Sequence, residues 1–69
     1  MEKKNINADI PILLTVDQCQ AVFQMGRTKT YQLLNSEGFP SIKVNRRIYV
    51  PLDKLNLWIE QNVGKEYLL

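Results

Sequence analysis

The chain has 69 residues, 45% of them hydrophobic and 23% charged, with a formal net charge of +2. That describes one domain near the lower size at which an unstapled chain buries a sufficient core, with no room for an elaborate catalytic cleft beside it. With no histidine and one cysteine, Cys19, it has neither an internal disulfide nor a zinc site of the Cys/His kind, nor a His-based triad or general base.

A reduced, cytoplasmic setting is expected from the cysteine usage. The longest apolar run, Ile10 to Leu14, is too short for a signal peptide or a membrane span. Gly26, Gly38 and Gly64 are too far apart for a phosphate-binding loop, and no carboxylate pair marks a metal or acid–base site. No catalytic residue, metal or cofactor is therefore expected. Charge is segregated along the chain. From Gln24 to Val50 there are five basic side chains (Arg27, Lys29, Lys43, Arg46, Arg47) against one acid, Glu37, whereas the remainder carries four lysines and six acids. An anion-binding face produces such an asymmetry.

Residues 1–9 are polar and read as a flexible tail, 10–64 as the folded domain, and 65–69 as a short second tail. Ile10–Leu14 suits a short edge strand, since Pro11 is disfavoured in a central one. Thr15 then opens a helix as N-cap. Gln18 stands three residues on at capping-box spacing, and Asp17 complements the positive end of the helix dipole. Val16, Cys19, Val22 and Phe23 recur at helical spacing, with Cys19 read as a small buried hydrophobe. A tight turn at Gln24-Met25-Gly26 uses Gly26 either for its conformational freedom or as an N-cap.

A second helix is expected from Arg27 to about Ser36, ending before Gly38 and Pro40. Thr30, Leu33 and Leu34 share one side. Thr28, Tyr31, Gln32 and Asn35 share the other, with Lys29 at the edge and Arg27 at the N-terminal end; no acid lies on that outer face. Ile42, Val44, Ile48 and Val50 then alternate with polar residues as a hairpin. If Val44 and Ile48 both face inward, parity demands a three-residue connection, Asn45-Arg46-Arg47, with both arginines at the tip. Pro51 starts a last helix whose stripe is Leu52, Leu55, Trp58, Ile59 and Val63, with Trp58 as a core anchor.

The fold class is thus α+β, a minimal winged helix-turn-helix in the order helix, turn, helix, hairpin, helix. Its second helix can bring Arg27, Thr28 and Lys29 to DNA phosphates and Tyr31, Gln32 and Asn35 to base edges. The amides suit adenine, and arginine suits guanine. The wing, with Lys43, Asn45, Arg46 and Arg47, can reach a neighbouring minor groove or its phosphates.

Leu14 to Gln61 combines L-T-V and an acid, a Thr/Tyr-containing second helix, E-G-F-P, I-K-V, a basic wing, V-P and L-x-x-W-I. This resembles the excisionase-type small winged-helix family, related to the DNA-binding domain of MerR regulators. The resemblance implies a non-enzymatic, DNA-bending accessory protein of a mobile element, which directs an integrase towards excision. Its implied partners are double-stranded DNA, an integrase and neighbouring copies of itself. By position it supports Arg27, Thr28, Lys29, Tyr31, Gln32, Arg46 and Arg47 as DNA contacts. The chain departs from the family pattern in having Gly26 where a serine N-cap is frequent and Asn45 where glycine is common. The chain is also too short to add the long dimerisation helix and effector domain of MerR regulators. A transcription regulator of a prophage or transposon would use the same fold, and a protein-interaction adaptor without DNA binding is the competing reading from another class.

Overall fold

A computed structural model describes residues 10–69; the tail expected at 1–9 lies outside the described residues. The elements are β1 (Leu13–Leu14), α1 (Val16–Phe23), α2 (Arg27–Leu34), β2 (Ile42–Val44), β3 (Arg47–Pro51) and α3 (Leu52–Gln61). The sheet is antiparallel, in the order β1-β3-β2, so β3 is the central strand. This is the α+β winged helix-turn-helix that the pattern implies, with the expected edge strand reduced to two residues. None of the helices among the described residues is long and apolar enough to cross a membrane.

α1 begins with a complete capping box. The Gln18 amide donates to Thr15 Oγ1 at 3.3 Å, and the Thr15 amide donates to Gln18 Oε1 at 2.9 Å. At its other end the left-handed residue is Gln24, with φ 54° and ψ 46°, and its amide donates to the Gln20 carbonyl. Gly26 keeps an extended backbone, φ −69° and ψ 168°, and caps α2 without a side chain. Of the two roles open to Gly26, it fills the N-cap. Thr30 is fully buried, and it can be because its hydroxyl donates to the Gly26 carbonyl at 2.8 Å. That bond ties the N-cap to the first turn of α2.

α2 stops at Leu34, two residues short of the expected end. Asn35 Nδ2 donates to the Tyr31 carbonyl at 2.9 Å and Ser36 Oγ to the Leu33 carbonyl at 2.6 Å. These side chains satisfy late carbonyls of the helix and compete with its continuation.

The core consists of Val16, Cys19, Leu33, Leu34, Phe39, Ile48, Val50 and Leu55. Burial raises the pKa of the Cys19 thiol, as suits an inert packing residue. At the margin of this core Phe23, Phe39 and Trp58 form a cluster of edge-on and tilted rings, and Tyr67 packs on Trp58. Phe39 and Trp58 approach to 4.8 Å between centroids, and Trp58 and Tyr67 to 5.5 Å. Trp58 is thus only half-buried, an anchor at the margin of the core. The stripes read from periodicity extend too far, since Val22, Ile59 and Val63 are all exposed.

The hairpin differs from expectation in a definite way. Val44 pairs with Arg47 and Ile42 with Tyr49, so the connection has two residues, Asn45 and Arg46. Both have positive φ, 50° and 71°, as a type I′ turn requires. Ile42 and Val44 therefore lie on the outer face, 44% and 48% exposed. The parity argument assumed that both strands supply the core. Only β3 does so, through Ile48 and Val50. β2 is an edge strand with every residue exposed, so facing Arg47 buries no charge.

Two outcomes test this packing. Leu34→Ala should cost about 2–5 kcal/mol. For a chain of this size that approaches the whole stability, so circular dichroism at 25 °C should show a largely unfolded population. A Cβ at Gly26 meets nothing within 4 Å, and its φ suits any residue. Gly26→Ser should therefore stabilise by about 0.5–1 kcal/mol, read as a rise in melting temperature of roughly 2–8 °C.

Candidate nucleic-acid interface

Thr28, Lys29, Tyr31 and Gln32 are exposed on α2, Asn35 is exposed as its C-cap and Arg27 stands at its first position, while Thr30, Leu33 and Leu34 are buried beneath. The sidedness expected from the 100° repeat is the sidedness observed. No side chain on the outer face of α2 is acidic.

The hairpin tip lies beside this helix. Arg27 and Tyr31 of α2 share one concavity of about 270 Å³ with Arg46 and Arg47 of the wing. Thr15, Val16 and Asp17 from the start of α1, and Ile48 and Tyr49 of β3, complete its lining. The cationic loop and the second helix are thus on one surface. β3 makes this possible, because burying Ile48 and Val50 ties the root of the wing to the helices.

Four candidate residues line the concavity: Arg27, Tyr31, Arg46 and Arg47. Thr28, Gln32 and Asn35 extend the surface along α2 but do not line it. Lys43 pairs with Ile48, so it projects from the opposite sheet face to Arg47. Asn45 forms the turn itself. Lys29 Nζ donates to the main-chain oxygen of Leu69 at 3.0 Å, which places its ammonium towards the residues after α3. Asn35 uses its amide nitrogen on the Tyr31 carbonyl, which leaves its Oδ1 as the outward group.

One neighbour of these residues was not legible in α2 or the wing. Asp17, from the first turn of α1, forms an ion pair with the Arg27 guanidinium. Arg27 Nη1 also donates to Gln20 Oε1 at 3.1 Å, and Nη2 donates to the Tyr31 hydroxyl at 3.4 Å. The guanidinium carbon stands 5.4 Å from the Tyr31 ring centroid, within cation–π range. The hydrogen bond to Asp17, then that to Tyr31, raises the Arg27 pKa above its ordinary value. Both partners of the pair are well exposed, so it adds little to stability. Its effect is on orientation. The only sequence signal for it was Asp17 itself, which the capping role at α1 had already accounted for.

Arg46 and Arg47 have no ion-pair partner among the described residues. Arg46 also occupies a left-handed position where the two-residue hairpin ordinarily places glycine. The side chain stands there at a conformational cost of about 1 kcal/mol. Among the described residues no group of three His, Cys, Asp or Glu side chains gathers to hold a metal.

Comparison with known proteins agrees with this geometry. A family model described as a helix-turn-helix domain matches residues 13–63, which include every element of the fold. An excisionase from Streptomyces ambofaciens is 34% identical over 55 residues, covering 80% of this chain and 89% of that protein. No solved structure matches the chain significantly. A three-helix fold with a basic two-stranded wing, matched in this way over residues 13–63, belongs to the excisionase-type family of small helix-turn-helix proteins.

Proposed function

We propose that this protein binds double-stranded DNA as an excisionase, an accessory factor that bends attachment-site DNA and directs an integrase towards excision. α2 enters the major groove and presents Gln32, Asn35 and Tyr31 to base edges. Arg46 and Arg47 follow the adjacent minor groove or its phosphates, while Thr28, Lys29 and Lys43 contribute further backbone contacts. Contacts with an integrase and with neighbouring copies on the DNA belong to the same reading, as does the lack of any catalytic role.

The observation that carries this reading is the shared concavity, where the tip arginines stand beside the acid-free side of α2. The wing turn adds a second support. A long cation at a left-handed turn position weakens the hairpin, and contact with an anionic backbone offsets that cost. The excisionase from Streptomyces ambofaciens supports the finer role by its likeness. Footprinting on the DNA flanking the protein's own gene tests that role. Protection of repeats at an attachment site is the expected result; protection confined to a promoter would overturn the excision role in favour of transcription control.

With Lys29, Lys43, Arg46 and Arg47 each meeting a phosphate, log affinity should fall against log salt with a slope of roughly −4. Fluorescence anisotropy between 50 and 200 mM salt measures it, and a slope near zero points to an adaptor that does not bind DNA. Arg46→Gly should separate the two roles of the tip. It should raise the melting temperature by relieving the left-handed side chain, and weaken binding to all sequences alike with the slope reduced by about one.

A further inference from the structure

Arg27 differs from the two wing arginines in its partners. A guanidinium has five N–H donors. Here Nη1 uses its two on Asp17 and Gln20, and Nη2 uses one on Tyr31. Among the described residues the Nε–H and the second Nη2–H have no acceptor. Two donors on one planar guanidinium match two neighbouring acceptors, such as guanine O6 and N7 or a pair of phosphate oxygens.

Charge decides between these two acceptors. The Asp17 carboxylate offsets the positive charge of Arg27 at contact distance, so the pair as a whole offers a phosphate little attraction. A phosphate at the open edge would also face the repulsion of Asp17. Guanine O6 and N7 are neutral acceptors that require aligned donors rather than net charge. Alignment is what Asp17, Gln20 and Tyr31 supply, since the first two accept from Nη1 and the Tyr31 ring lies within cation–π range of the guanidinium before any ligand arrives. Arg27 is also the first residue of α2, and in helix-turn-helix proteins the N-terminal residues of this helix meet base edges.

We propose that Arg27 reads a guanine in the target site rather than anchoring a phosphate, with Asp17 and Gln20 as positioning residues that fix its open edge towards the groove. The inference rests on the DNA-binding reading above and deepens it. It divides the surface by chemistry: Arg46 and Arg47, without an ion-pair partner among the described residues, supply sequence-independent attraction, and paired Arg27 supplies selectivity.

The test uses the full chain and the footprinted duplex, with each G·C pair of the site replaced in turn and affinity measured across a salt series. Arg27→Ala should abolish discrimination at one G·C pair, a loss of about 5- to 150-fold confined to that position, and leave the salt slope unchanged. Asp17→Asn should reduce discrimination at the same pair and steepen the slope by about one, because it frees the charge of Arg27. Gln20→Ala should reduce the same discrimination without changing the slope, and Asp17→Glu should restore most of it. Melting curves show that each variant is folded. Should Arg27→Ala weaken all sequences equally and flatten the slope, Arg27 is a phosphate anchor and the inference is overturned. Intact discrimination in both folded Asp17→Asn and Gln20→Ala would overturn the positioning role. A parent chain with no salt-dependent binding sinks the DNA-binding reading itself, a result distinct from either.

Discussion

Burial of one short strand is the constraint on which the rest of the molecule depends. β3 has only two core side chains, Ile48 and Val50, yet it pairs with β1 on one side and β2 on the other and packs against α1 and α3. Val50 is wholly enclosed and belongs to the same buried cluster as Cys19, Leu34 and Leu55. In so small a domain each such residue is a large share of the buried apolar surface, which near 25 cal/mol per Å² supplies most of the driving force. The functional consequence is geometric. The wing emerges from the end of β3, so the burial that stabilises the fold also sets the wing beside α2.

Departures from local preference gather at the surface this arrangement creates. The hairpin turn has positive φ at Asn45 and Arg46; asparagine tolerates that conformation, and arginine does so at a cost. The adjoining concavity holds Arg27 in a network of exposed polar contacts that contributes little to folding. Elsewhere local choices agree with the fold: a complete capping box at α1, a hydrogen-bonded buried threonine in α2, and no buried side-chain polar atom without a partner among the described residues. Apart from the left-handed Gln24 that closes α1, backbone strain and exposed polar order meet at one surface, the pattern of a binding face on a small scaffold.

The electrostatics of that face depend on pairing more than on net charge. The middle of the chain carries five cations and one acid, yet folding brings a second acid, Asp17, against the first residue of α2. Lys29 is directed towards Leu69, and Lys43 projects from the opposite side of the sheet to Arg47. Among the described residues, the charge within the concavity that has no ion-pair partner is therefore that of Arg46 and Arg47. A surface arranged in this way attracts a polyanion at its wing and presents oriented hydrogen-bond donors along its helix.

The sequence by itself determined the order of elements, the N-cap of α1, the buried and exposed sides of α2, and the roles of Ile48, Val50 and Leu55. All of these follow from periodicity and capping chemistry within a single element. It also carried the residues by which the family is recognised. Only the tertiary structure decided the hairpin register, because parity fixes a register only when it is known which strands reach the core, and β2 does not. The outward turn of Val22, Ile59 and Val63, the burial of Phe39, and the Asp17–Arg27 pair were decided there too. Each depends on where a second element lies, and a 3.6-residue or two-residue repeat holds no information about its neighbours. Ten residues separate Asp17 from Arg27 in the chain, and only the turn at Gln24–Gly26 folds one against the other.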